Sequence, residues 1–155
     1  MIIPLEQLAQ TVSRLKKEQK KIVTTNGVFD ILHAGHIRYL AEAKKGGDVL
    51  IVGLNSDAST RALKGETRPV NTENDRAEVL DALSAVDYVI IFDELDPRKL
   101  LEQIKPHTHV KGGDYTLDRI IEKDVVEEGG GVVVLVDASP GYATTKIIEK
   151  ILKCD

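Results

Sequence analysis

With 155 residues, 42% of them hydrophobic, the chain can bury one α/β core and has no room for a second catalytic domain. Lys and Arg number 21 against 25 Asp and Glu, a formal net charge of −4 that excludes a general attraction to nucleic acid, so an anionic ligand has to be held by local basic groups. The lone Cys154 excludes a disulfide framework and a Cys-rich metal knuckle, and no stretch approaches the roughly 20 apolar residues of a membrane span, so a cytoplasmic protein with no membrane partner is expected.

Leu5, Leu8, Val12 and Leu15 recur at helical spacing and predict an amphipathic helix within residues 1–20, ahead of a core over 21–152. Ile22 to Thr25 reads as a short buried strand ending in the turn Asn26-Gly27. A helix from about Ala34 to Lys45 is closed by Gly46-Gly47, and Val49 to Leu54 is a second buried strand. A polar stretch runs from Asn55 to Asn71, then a helix from about Glu73 to Ser84 and the strand Tyr88 to Phe92. Pro97 opens a helix through about Ile104, followed by the short strand His109-Val110, the pair Gly112-Gly113, a last strand Val132 to Val136 and a helix Thr144 to Leu152. Strands that lack polar alternation and are separated by helices require a parallel sheet covered on both faces. The expected fold class is therefore α/β, a three-layer, doubly wound, Rossmann-like arrangement on a five-stranded parallel sheet, taken as one domain over 1–155. In such sheets the ligand crevice lies beyond the carboxyl ends of the strands, which directs attention to the polar and glycine-rich segments there.

Directly after the first strand comes Asn26-Gly27-Val28-Phe29-Asp30-Ile31-Leu32-His33-Ala34-Gly35-His36, with the pattern His-x-Gly-His. A helix beginning near Ala34 turns its free N–H groups and positive dipole end toward the ligand side, Gly35 lets the backbone approach, and His33 and His36 can lean over one phosphate. Nucleotidyl transfer needs such donors, because charge grows on the α-phosphate and the leaving pyrophosphate. A surface pair is the plain alternative. A zinc site is a third reading, but no further His, Cys or carboxylate stands at zinc spacing, and no protein metal ligand is named.

The sequence resembles the cytidylyltransferase-like nucleotidyltransferases marked by His-x-Gly-His, and among them the heptose 1-phosphate adenylyltransferases of ADP-heptose synthesis. The resemblance extends over roughly residues 21 to 152 and rests on motifs in order: Thr25 to Asp30 before the histidines, Gly53 to Ser59, Arg68-Pro69-Val70-Asn71 with Asp75-Arg76, Val110-Lys111-Gly112-Gly113-Asp114-Tyr115, and Gly141-Tyr142-Ala143-Thr144-Thr145. It implies the nucleotidyltransferase (HUP) type of the fold, a transfer of AMP from ATP to a sugar 1-phosphate with release of pyrophosphate, and His33, His36 and Lys64 as catalytic groups. It further implies nucleotide contacts from Asn26, Gly27, Phe29, Gly35, Lys111, Gly112, Gly113, Asp114, Tyr142, Thr144 and Thr145, and substrate contacts from Asp30, Asp57 and Arg76.

Each assignment has a structural alternative. Lys64 can be a solvated loop lysine, Arg76 can pair with Asp75 or Glu73, Asp57 can cap a helix, Asp30 can form a turn, and Lys111 can be structural. Thr144 and Thr145 combine a hydroxyl with free N–H groups at a helix start, although simple capping explains one of them. The family motif usually carries serine at Ala143, and the absence of an arginine near Ala138 or Ser139 argues against CTP. Mg²⁺ is expected to bind mainly through nucleotide phosphates. A homodimer is expected, with a separate kinase supplying the sugar 1-phosphate. Two rivals stand beside this reading: a CTP-dependent enzyme acting on glycerol or ethanolamine phosphate, and a non-catalytic nucleotide-binding regulator. An aminoacyl-tRNA synthetase is excluded by length and acidity.

Overall fold

The computed structural model describes residues 1–113, 116–136 and 142–154. Five strands, β1 (Ile22–Gly27), β2 (Val49–Asn55), β3 (Tyr88–Phe92), β4 (Thr108–Gly112) and β5 (Val132–Val136), form one parallel sheet in the order β3-β2-β1-β4-β5. The helices are α1 (Leu8–Lys17), α2 (Ala34–Lys44), α3 (Asp57–Lys64), α4 (Glu73–Asp81), α5 (Arg98–Ile104), α6 (Lys123–Glu128) and α7 (Thr144–Ile151), with 3-10 turns at Leu5–Gln7 and Leu117–Arg119.

Neighbouring strand residues serve opposite faces, which makes the sheet the middle of three layers. Val23, Leu50, Val52, Leu54 and Val89 pack with Leu40 and Ala43 of α2 and Ala77 and Leu80 of α4. On the other face Ile22, Ile51, Ile90 and Phe92 meet Leu8, Val12 and Leu15 of α1 and Leu100 and Ile104 of α5. The order runs outward from β1 in both directions, through β2 to β3 and through β4 to β5, so the loops after β1 and β4 diverge and open a crevice at the carboxyl edge of the sheet.

Three features depart from expectation. The polar stretch after β2 holds a helix, α3, because Ser56 caps it by accepting from the Ser59 N–H at 3.2 Å. The short helix α6 fills the segment before β5, for which no element was predicted. At the sheet edge β5 is less covered than a strand packed on both faces: Val132 and Val134 are exposed. No helix among the described residues is long and apolar enough to cross a membrane.

Candidate active site

A cleft of about 780 Å³ occupies that crevice. One wall is built from the loop after β1, the start of α2, the end of β4 and the start of α7: Asn26, Gly27, Phe29, His33, Gly35, His36, Lys111, Gly112, Gly113, Tyr142, Thr144 and Thr145 all line it. The cleft is also lined by Leu63 and Lys64 at the end of α3, by Arg68 beyond it, and by Leu95, Asp96 and Pro97 after β3. Motifs spread over more than a hundred positions are gathered here because each follows a strand of the same parallel sheet.

The histidine pair is held by stacking. His33 and His36 lie 3.9 Å apart between ring centroids at 25°, Tyr142 stacks on His33 at 5.7 Å, and Phe29 meets His36 edge-on at 5.5 Å. His33 is the N-cap residue of α2, and its backbone N–H donates to His36 Nδ1 at 3.4 Å. That bond makes Nδ1 the acceptor and leaves the proton of neutral His36 on Nε2, which becomes a donor. His33 Nδ1 is buried with no hydrogen-bond partner among the described residues. Burial, and then the neighbouring His33, pull the His36 pKa down to about 4, and burial lowers that of His33. At neutral pH both rings are therefore uncharged.

Close approach explains Gly35: a Cβ there would lie 2.8 Å from Tyr142 Cβ and 2.9 Å from the His33 ring. Phe29 adopts φ +46°, an outlying conformation for a bulky aromatic residue, placed at the turn that delivers Asp30 and the histidines. Thr144 donates through Oγ1 to the Ile31 carbonyl at 3.0 Å and so ties the start of α7 to the loop before α2. The N-cap of α7 is Ala143, which offers no side-chain bond, so the first-turn N–H groups of this helix have no cap of their own. Two helix N-termini thus open on one cleft.

Lys111 donates to Glu122 Oε1 at 2.5 Å and to Asn26 Oδ1 at 3.3 Å. Glu122 is 2% exposed, and although burial opposes its charge, the adjacent His109 ring and the Lys111 ammonium win and hold it at about 2. Beneath it Tyr39 bonds Thr25 Oγ1 and the Val110 carbonyl, and burial raises its pKa to about 12. Gly112 leaves room for that ring, since a Cβ would come within 2.8 Å of it.

Three expected substrate contacts are found in other company. Arg76 is 2% exposed, and its donors go to the carbonyls of Asn71, Val28 and Asn55 and to Asp57 Oδ1 at 2.8 Å. Neither Arg76 nor Asp57 lines the cleft. The guanidinium braces the ends of β1 and β2, and its carboxylate partner is Asp57 rather than Asp75 or Glu73. Asp30 lines the cleft but is buried, accepting from Arg68 Nε at 2.6 Å and from the N–H groups of Val70 and Asn71 at 2.9 Å. Its burial would raise its pKa, yet those bonds outweigh it and leave the carboxyl below its ordinary value. Asp30 therefore clamps a loop. Lys64, at the end of α3, is exposed along the cleft. Asp114, Tyr115, Ala138, Ser139 and Gly141 lie outside the described residues.

Sequence reasoning passed over Arg68, Arg119 and Glu122 as cleft residues. Arg68 stood inside a quoted motif, and its cationic side chain was the available signal. Glu122 sits in an unremarkable charged run that gives no sign of its burial. Among the described residues no group of three or more His, Cys, Asp or Glu is placed to hold a metal ion.

A profile of the cytidylyltransferase-like family matches residues 24–151. The chain belongs to the cytidylyltransferase-like family of nucleotidyltransferases. Within that family it is 55% identical over 149 residues to the bifunctional protein HldE of Geobacter metallireducens, covering 96% of this chain and 30% of that protein. It is 53% identical over 148 residues to HldE of Klebsiella pneumoniae, covering 96% and 31%. The chain thus spans about a third of the length of these relatives. Among solved structures, a lipopolysaccharide core biosynthesis protein from Thermoplasma volcanium matches with TM-score 0.64 and 37% identity, covering 77% of this chain and 97% of that one. Pantoate-beta-alanine ligase from Francisella tularensis, with TM-score 0.66 and 19% identity over 100% of this chain and 80% of that one, shares the fold.

Proposed function

We propose that this cytidylyltransferase-like domain transfers AMP from ATP to a sugar 1-phosphate, D-glycero-D-manno-heptose 1-phosphate, giving ADP-heptose and pyrophosphate. The observation that carries the reaction type is the stacked His33–His36 pair set at the N-terminus of α2 and facing the uncapped start of α7. The heptose rests on the motif resemblance, on the likeness to the HldE proteins and on the likeness to a lipopolysaccharide core biosynthesis protein.

The nucleotide's phosphates rest against the two helix ends, where backbone N–H groups and the dipoles favour anions. An oxygen of the acceptor phosphate attacks the α-phosphorus in line, a new P–O bond forms, and the bond from that phosphorus to the bridging oxygen of the leaving pyrophosphate breaks. The attacking oxygen is ionised near neutral pH, so no strong base is required. His36 donates its Nε2 proton in a hydrogen bond to an oxygen that gains charge, His33 supports the same phosphate, and Lys64 and Lys111 neutralise the rest. Mg²⁺ would be carried mainly on the triphosphate and would supply further charge neutralisation; the described carboxylates of the cleft, Asp30, Asp96 and Glu122, each already accept from protein donors.

The test is pyrophosphate release measured for ATP and CTP against heptose 1-phosphate, other sugar 1-phosphates, glycerol phosphate and ethanolamine phosphate, with product mass. ATP with the heptose 1-phosphate should give the highest kcat/KM and ADP-heptose as product. Preference for CTP with a polyol phosphate would replace this reading by the cytidylyl one, and ATP binding without turnover on any acceptor would make the domain a regulator.

A further inference from the structure

Arg76 and Asp57 bond one another, which leaves Lys64 and Arg68 as the cations of the cleft wall that follows β2. Arg68 is that wall's arginine. Its side chain is 16% exposed and lines the cleft, and Nε is fixed on Asp30 Oδ2 at 2.6 Å, while neither terminal guanidinium nitrogen has a partner among the described residues. Asp30 itself is immobilised: its carboxylate accepts from the Val70 and Asn71 N–H groups at 2.9 Å, and its carbonyl accepts from the Asn71 side-chain amide at 2.7 Å. A guanidinium pinned at Nε presents its two remaining nitrogens as a planar fork, the geometry that matches two oxygens of a phosphate.

Position decides which phosphate. In-line displacement places the attacking oxygen and the leaving pyrophosphate on opposite sides of the reacting phosphorus. The paired imidazoles follow β1 and Arg68 follows β2, the neighbouring strand, and both line one cleft, so an acceptor entering from the β2 side meets the segment that carries Arg68. We propose that Arg68, clamped by Asp30, receives the phosphate monoester of the acceptor and makes the site selective for phosphorylated acceptors. The proposal rests on the adenylyltransferase reading and deepens it. Asp30 is then a positioning residue, acting through the arginine rather than on substrate.

The experiment compares wild type with Arg68→Gln, Arg68→Lys and the double variant Asp30→Asn/Arg68→Gln, which avoids leaving a buried carboxylate without its cation. Steady-state kinetics with ATP and heptose 1-phosphate should show KM for the acceptor raised about 10-fold or more in Arg68→Gln and in the double variant, with KM for ATP within about 2-fold. Arg68→Lys should recover part of the loss, since a point charge keeps attraction without the fork. An acceptor KM within about 2-fold of wild type, or an equal rise in KM for ATP, would overturn the proposal. Wild type that turns over no phosphorylated acceptor would defeat the adenylyltransferase reading instead. Titration of the ATP-loaded chain with inorganic phosphate reads the site independently of turnover: binding to wild type that is lost in Arg68→Gln supports the assignment, and equal affinity in both, or none in either, overturns it.

Discussion

The two walls of the cleft are built on different plans. Beside β1 and β4 the polar groups rest on one another, with His33 on His36, Tyr142 on His33, Thr144 on Ile31 and Lys111 on Glu122, so the donors are in place before any ligand arrives. Across from them the strongest charges point inward, Arg76 into the sheet ends and Asp30 into its own loop, leaving Lys64 and the outer edge of Arg68 toward solvent. The difference teaches that a charged residue in a shared motif has two uses at a sheet edge, to hold a ligand or to hold the loop that does.

The largest effect is expected where a brace is cut. Arg76→Ala should lower stability by about 3 kcal/mol, because three carbonyls and the Asp57 carboxylate lose a buried charged donor, and urea unfolding measures it. Loss of turnover in proportion to the unfolded fraction is expected, whereas a stable variant with a selective rise in acceptor KM would return Arg76 to the substrate. Next, His36→Ala should reduce kcat about 10²-fold, some 2.7 kcal/mol, with the urea midpoint close to wild type. Near-normal turnover would erase the contrast between the walls.

A smaller effect belongs to Glu122. Its folded pKa of about 2 lies below the ordinary 4.5, so its charge stabilises the fold above about pH 4.5 and that contribution is lost as pH falls toward 2. Glu122→Gln should therefore cost about 1 to 3 kcal/mol at pH 7, with the gap to wild type closing in acid, as read by denaturant melts across that range. A gap independent of pH would mean that packing, not charge, holds Glu122 in place.

Much of the fold was legible because hydrophobic runs such as Val49 to Leu54 and Tyr88 to Phe92 are buried on both faces and carry their strand signal locally. Helix α3 was not, since Asp57 to Lys64 is mostly polar and is helical through its Ser56 cap and its seat on β2. In the site, the segments that follow β1 and β4 pointed to the cleft because a loop after a parallel strand has few other places to go. The burial of Arg76 was not legible: sequence shows that an arginine starts a helix, but not that four acceptors 5 to 48 positions away converge on it.

Whether the imidazole pair grips a triphosphate is read by ring titration of His36 by ¹H–¹⁵N correlation NMR, with and without ATP. Without nucleotide the midpoint should lie near pH 4, held there by burial and by His33. Bound ATP should raise that midpoint, because a phosphate anion favours the protonated ring, and by linkage nucleotide affinity should strengthen as pH falls from 7 toward 5. A His36 midpoint and ring shifts unchanged by saturating ATP would mean that the imidazole pair does not hold the triphosphate.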